Sequence, residues 1–348
     1  MAAATIPEDA RRTLARATFT LSWLPVGVLT IFFAFGSHLP RELYYVPFGA
    51  SLLILGLPHG ALDHLAPGRI SGTGPTTRSI LAVALLYMIL GPLYLALWFA
   101  VPTYAFLLLI MLTWFHWGQG DLWTSAFLLR GEPFRSRLVR LLTIFVRGGL
   151  PMLVPLLTFP EAYKTTAQSA AGAFGTAMGG WDPLFEPAFR IPAGAVFATV
   201  TLLTLYLGYR GAGTKNRTAW RVEAAETILL AAYFVLVPPV LAVGIYFCLW
   251  HSTRHIARLM LIEERSSASL EQGRLAPAVV IFARESAPLT FVALGILGAL
   301  YLLTPGGTGS LSGLLGLYLV MISILTLPHI VVVSWMDYRQ GLWKRTGQ

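Results

Sequence analysis

The chain has 348 residues, 56% hydrophobic and only 12% charged, with a mean hydropathy of +0.68, a balance that excludes an ordinary soluble domain and points to an integral membrane protein. The formal charge of +9 arises from basic residues spread between apolar stretches rather than gathered on one face, so they read as topology signals and not as a nucleic-acid surface. The lone Cys248 lies in an apolar run, which excludes an internal disulfide framework and any metal site built on several cysteines.

The first apolar stretch, about 17–36, follows Arg11, Arg12 and Arg16 and superficially resembles a signal peptide. It is long enough to span a bilayer and lacks a small-residue cleavage site, so it is expected to remain as a helix behind a cytoplasmic arm, 1–16. Further spans are expected near 44–62, 79–99, 102–119, 138–158, 189–209, 223–237, 239–257, 286–304 and 311–335. The division at Pro238 and Pro239 leaves almost no loop between two spans.

Residues 159–188, rich in Gly, Ala, Ser and Thr, are expected to form an external surface helix or cap. Residues 258–285 carry Glu263, Glu264 and Glu271 among arginines and read as a solvated cytoplasmic helix. With the N-terminus cytoplasmic, 21 of the 25 Lys and Arg fall on one face, among them Arg69, Arg78, Arg130, Arg135, Lys215, Arg254, Arg258, Lys344 and Arg345. Arg41, Lys164 and Arg190 fall on the other, and Arg147 within a span. That asymmetry predicts an all-α polytopic bundle of about ten helices, one integral-membrane catalytic domain over 1–348, multi-pass in the plasma membrane, with both termini cytoplasmic.

Six of seven histidines sit at the trailing ends of apolar segments: His59 and His64 in LPHGALDH, His116 in WFHWGQGD, His251 and His255 in WHSTRH, and His329 in LPHIVVVSWMD. An imidazole in lipid is costly unless it has a partner or a metal. All six fall on even-numbered spans running toward the cytoplasm, hence at similar depth, a common way to build a metal site in a helical bundle. His38, in a short external loop, stands apart.

His251 and His255 are four apart and stack on one helix face. His59 and His64, five apart, do not share a face unless Pro58 and Gly60 distort the turn. Asp63 shares the face of His59 and is placed to fix the tautomer of a neighbouring imidazole; Asp121 and Asp337 can do the same or face water and arginine. Trp114, Phe115, Trp117, Tyr246, Phe247, Trp250 and Trp335 flank the histidines and are candidates for lining a substrate tunnel.

All-imidazole coordination suits iron, copper or zinc, and a haem between facing histidines such as His116 and His251 is an alternative. No HExxH occurs, and no lysine lies mid-span, which removes an intramembrane zinc protease and a retinal Schiff base. A haem-binding electron-transfer subunit or a histidine-dependent ion transporter is the competing class, although Glu223, Glu226 and Glu285 are the only acids near span ends that a transporter would use.

The LPHGALDHL, FHWGQGD, WHSTRH and LPHIVVVSWMD segments together, in this order from span two to span ten, resemble the prokaryotic membrane β-carotene 15,15′-dioxygenase family, the Brp/Blh proteins. The resemblance implies a membrane enzyme that uses Fe(2+) and O2 to cleave the central double bond of all-trans β-carotene into two all-trans retinal molecules. It implies His59, His116, His251 and His255 as the iron ligands and catalytic residues, with His64 and His329 as supporting or substrate-cavity residues beside Asp63 and Asp121, which helix spacing already places in supporting positions. It also implies the lipid bilayer as the medium in which substrate is met and a retinylidene protein as a receiver of retinal. The longer N-terminus and the 159–188 segment bear on substrate range rather than on chemistry.

Overall fold

Apolar runs that cannot pair their backbone with water close their own hydrogen bonds as helices, and the described residues contain helices and turns without strands. The computed structural model describes residues 6–129, 136–175, 180–214, 216–304 and 309–343. Arg130, Arg135, Lys215, Lys344 and Arg345 of the expected basic face, the first five residues of the N-terminal arm, and residues 176–179 of the expected external segment lie outside them.

In chain order the helices are α1 (Glu8–Ala34), a 3-10 turn (Arg41–Tyr45), α2 (Val46–Ser51), α3 (Gly56–Gly60), α4 (Ala66–Ser71), α5 (Thr77–Ala100), α6 (Pro102–Trp123) and α7 (Arg137–Thr158). They continue with α8 (Pro160–Gly172), α9 (Asp182–Phe185), α10 (Pro187–Ala212), α11 (Arg217–Leu236), α12 (Pro239–Ile245), α13 (Thr253–Ile262), α14 (Glu264–Glu271), α15 (Leu275–Leu303) and α16 (Leu311–Gln340). Two π-helical turns, Thr124–Leu128 and Tyr246–Ser252, extend α6 and join α12 to α13.

Among the described residues six helices, α1, α5, α7, α10, α15 and α16, are individually long and apolar enough to cross a membrane. The other expected spans fall on the broken segment 41–60, on α6, on α11 and on the rod running from α12 through its π turn to α13. The stretch expected as one helix over 44–62 is interrupted, because Pro47, Gly49, Gly56 and Pro58 crowd it with residues that weaken or break a helix. The interruption is pinned by Ser51 Oγ, 2.5 Å from the Tyr318 hydroxyl of α16.

In the apolar windows of α7 and α16, 61% and 67% of residues are buried, against 17% for α1, α5, α10 and α15. The first two therefore form the interior of the bundle and the other four its periphery. Close approach between α6 and α7 depends on glycine: a Cβ on Gly118 would lie 2.1 Å from the Ile144 carbonyl, and one on Gly148 1.8 Å from that of Trp114. The 159–188 segment contributes α8, whose Ala167, Ala170 and Ala171 are buried and which packs on α16 at Gly316. The C-terminal part of the 258–285 segment belongs to α15, which begins at Leu275 rather than near residue 286.

Candidate metal centre

Five histidines from four parts of the chain meet in the interior. His59 comes from α3, His116 from α6, His251 from the second π turn, His255 from α13 and His329 from α16, and each is no more than 8% exposed. His59 has ring centroids 5.4, 5.6 and 5.1 Å from those of His251, His255 and His329. His116 lies 4.7 Å from both His251 and His329, and His255 lies 5.1 Å from His329.

Local sequence explains this convergence. His59 and His329 each follow a proline, in the two LPH triplets, where the missing N–H opens the helical turn that carries the imidazole. The π turn ends at Ser252, between His251 and His255, so the pair is carried across a change of helical pitch and both rings face His59. Gly120 leaves space beside His251, whose ring atoms would lie 3.4 Å from an added Cβ. Gly60 does the same beside His329 Nδ1, at 3.6 Å.

Hydrogen bonding orients two of the rings. His59 Nδ1 donates to the Gly56 carbonyl within its own turn. His329 Nδ1 donates to Asp63 Oδ2 at 2.8 Å, and the same oxygen accepts from the Tyr87 hydroxyl at 2.7 Å. Both arrangements direct Nε2 away from the bonded side. Nε2 of His251, His255 and His329, and both ring nitrogens of His116, are buried without a hydrogen-bond partner. Several unpaired buried imidazole nitrogens facing one another would be costly in a dry interior, and a cation with affinity for nitrogen relieves that cost. Donor atoms of His59, His116 and His329 lie within 4.8 Å of one another, as do those of Asp63, His255 and His329. The set fits a borderline transition metal and contains no thiolate. With His116 and His251 centroids 4.7 Å apart and other rings packed around them, no slot is left between them for a porphyrin.

His64 stands apart from this cluster. It is half-buried, its Nδ1 lies 3.1 Å from the Ala61 carbonyl, and it lines the adjoining cavity. Asp121 hydrogen-bonds Arg147, Trp250 and Arg254 rather than a histidine. It lies in a buried ionic network, accepting from Arg147 Nε at 2.8 Å, Trp250 Nε1 at 3.0 Å and Arg254 Nη1 at 3.1 Å. Glu226 bridges the same two arginines at 2.5 Å each and accepts from Trp23 at 2.9 Å, and Glu223 accepts from Ser125 at 2.7 Å. Arg258 pairs with Asp337 at 2.7 Å. Arg254 and Arg258, which the charge count assigns to the cytoplasmic face, are thus buried structural cations. The network fastens α6 and α13, which carry His116 and His255, to α1, α7 and α11.

A cavity of about 720 Å³, within the usual size range of small-molecule sites, opens onto the cluster. From His329 it runs along α16 to Leu315, fourteen residues or about 21 Å away, and on α5 it extends from Tyr87 back to Ile80, about 10 Å. Tyr163 and Thr166 of α8 also line it. Of the aromatic candidates, Trp117 and Phe247 face the cavity, stacked on each other at 6.1 Å and beside His251. Tyr246 and Trp250 are buried behind them, Trp114 donates to the Phe145 carbonyl, Phe115 is on the outer surface, and Trp335 packs under Arg339. Tyr87, the ionic network and the walls from α5 and α15 escape a sequence reading. Tyr87 is one aromatic in an apolar run, and only the i, i+3 spacing of Glu223 and Glu226 hints at a buried acidic face.

Residues 50–337 match the family described as beta-carotene 15,15'-dioxygenase. The chain is similar to the probable beta-carotene 15,15'-dioxygenase Blh of Halobacterium salinarum, 42% identical over 96% of each chain. It is 30% identical to the probable beta-carotene 15,15'-dioxygenase Brp of the same organism, over 93% of each. A beta-carotene 15,15'-dioxygenase of an uncultured marine bacterium is 20% identical over 82% of this chain and 92% of its own. No solved structure matches. Matched over most of its length, with its histidines gathered on one apolar cavity, this chain belongs to the β-carotene 15,15′-dioxygenase family.

Proposed function

We propose that this protein cleaves the central 15,15′ double bond of all-trans β-carotene with O2, giving two molecules of all-trans retinal. The observation that carries the reading is the meeting of buried, unpartnered imidazole nitrogens with a long apolar cavity in a chain of this family. The reaction balances without a further reductant, since β-carotene plus one O2 has the composition of two retinals.

His59, His116, His251 and His255 hold Fe(2+) in this reading, and the bound iron supplies the redox chemistry that lets O2 react with an alkene. Neutral nitrogen ligands would bring no anionic charge of their own, and the Asp63 carboxylate stands behind His329 rather than among the four. The chain's own contribution is to hold the four rings with Nε2 or Nδ1 facing inward, to keep the His329 tautomer fixed through Asp63 and Tyr87, and to exclude water from the apolar cavity. Trp117 and Phe247 form a flat aromatic wall beside His251 against which a conjugated chain stacks. His64 lies along the cavity wall, and Asp121 acts at a distance by fixing Trp250, the neighbour of His251.

The chain crosses the plasma membrane ten times in this reading, with both termini cytoplasmic. The π turn of the α12–α13 rod is buried in protein, and the break in 41–60, where Leu53 and Ile54 are 63% and 65% exposed, keeps its amides bonded, Leu53 N and Ile54 N donating to the Ala50 carbonyl at 3.2 and 3.0 Å. The substrate is then met in the phase that dissolves it, and retinal is released into the same bilayer, where a retinylidene protein can take it up.

The test is an assay of purified, iron-loaded protein with β-carotene and air. Retinal as the sole cleavage product, two per carotene consumed, is expected. Intact carotene in the presence of equimolar iron, or a Soret band in the purified protein, overturns the reading.

A further inference from the structure

Among the described residues lining the cavity, every exposed one belongs to α5 or α15: Ala84, Met88 and Pro92 on the first, Leu289 and Val292 on the second. Met88 is 72% exposed, Val292 56% and Leu289 41%. The α5 residues are spaced by four and mark one stripe of that helix. Both helices pack on α16, yet they make scarcely any contact with each other, so α16 forms the back of a cleft whose front stands open.

The opening has a definite depth. Met88 adjoins Tyr87, whose hydroxyl binds the carboxylate that holds His329, so the cleft meets the surface level with the histidines. Its rim is apolar between two charges: the nearest charged residues on the two helices are Arg78, six residues before Ala84, and Glu285, four before Leu289, or about 9 and 6 Å along the helices. A mouth of exposed apolar side chains on two helices whose apolar windows are only 17% buried suits hydrocarbon better than water. The opposite end of the cavity is shut by α8, where Tyr163 and Thr166 are no more than partly exposed and Leu300 and Leu315 are buried.

We propose that the cleft between α5 and α15 is a lateral portal through which a lipid-dissolved polyene reaches the histidines directly from the bilayer. The proposal rests on the carotenoid reading of the site and adds its route. One half of the polyene occupies the closed arm toward α8, while the other lies along Ile80, Val83 and Ala84 at the mouth. An elongated apolar molecule thereby reaches the site without crossing water.

The experiment uses the iron-loaded, full-length protein in phosphatidylcholine liposomes containing β-carotene. The mouth is filled in M88W/V292W, and the controls I89W and F291W place the same bulk on exposed positions of the same helices outside the cavity lining. Retinal formation is expected to fall about tenfold or more in the mouth variant, equivalent to at least ~1.4 kcal/mol, with iron content and thermal midpoint unchanged, while both controls keep wild-type rates. As a second readout, M88C in a C248A background is labelled from within the bilayer by a long-chain N-alkylmaleimide, and β-carotene in the liposomes is expected to slow that labelling. If the filled mouth lowers iron content or stability, the labelling result decides. Wild-type rates in M88W/V292W, or labelling of M88C indifferent to β-carotene, overturn the portal. Absence of retinal from the wild type removes the carotenoid reading itself, a different outcome.

Discussion

The carboxylate of Asp63 accepts a hydrogen bond from Nδ1 of His329 at 2.8 Å, joining residues 266 positions apart at the centre of the histidine cluster. Tyr87 donates to the same oxygen, so one buried carboxylate sets the tautomer of an imidazole and is itself held by a phenol. Asp63→Asn retains the size of the side chain but loses the charge that favours the Nδ1–H tautomer. Because His329 packs against the iron-ligand rings without being one of the four, we expect it to weaken iron binding by up to about 10-fold, the low end for outer-shell changes at histidine metal sites, and Tyr87→Phe to weaken it less. Competition with a chelator of known affinity measures both.

Replacement of His59, His116, His251 or His255 by Ala is expected to abolish retinal formation in each case, with iron content falling in parallel. His329→Ala is expected to cause a smaller loss. Product analysis and metal analysis on the same preparations distinguish the two groups, and a fully active variant removes its residue from the iron ligands.

The network of Asp121, Glu223, Glu226, Arg147 and Arg254 lies within the bundle, with all five side chains no more than 9% exposed. Removing one member leaves an uncompensated charge at low dielectric, a loss of about 3–5 kcal/mol. Glu226→Ala takes a carboxylate from two buried arginines at once and leaves Asp121 as their remaining close partner, so its thermal midpoint in detergent should fall by roughly 5–10 °C. Trp250 and Arg254 flank His251, so iron occupancy should also drop. A midpoint equal to the wild type would show that the network adds no stability.

Gly118 and Gly148 occupy the places where α6 and α7 touch backbone to backbone. An Ala Cβ at Gly118 would sit 2.1 Å from the Ile144 carbonyl, so the helices must separate. Overpacking of this kind costs about 1–3 kcal/mol, and Gly118→Ala should lower the thermal midpoint, whereas Gly27→Ala, with open space around its Cβ position, should leave it unchanged.

Much of this arrangement is legible in the chain. Apolar runs mark the helices, and histidines that all end such runs on alternate passes imply a common depth, which the meeting of His59, His116, His251, His255 and His329 bears on directly. His64 shows the limit: five residues from His59, it shares the motif but points along the cavity instead of into the cluster. Spacing along one element is readable, but partnership across elements is not. Asp63 lies on the face of His59 by helical periodicity and nonetheless bonds His329, because the 41–60 break turns the segment in a way that no periodicity encodes. Arg254 and Arg258 read as topology signals for the same reason, since their acidic partners come from α6, α11 and α16. The cavity is marked in the sequence only by the aromatics that flank the histidines, of which Trp117 and Phe247 face it, while much of its wall is Leu, Ile, Val and Ala indistinguishable from lipid-facing residues.

The central claim is that the buried imidazoles hold the iron with which the chain cleaves β-carotene at its middle. Purified wild-type protein, stripped with a chelator and then reloaded with Fe(2+), tests it most directly, with iron per chain and retinal per carotene measured at each stage. One iron per chain, no cleavage after stripping, and two retinals per carotene after reloading are predicted. Retinal formed at an undiminished rate by the iron-free protein would contradict the account.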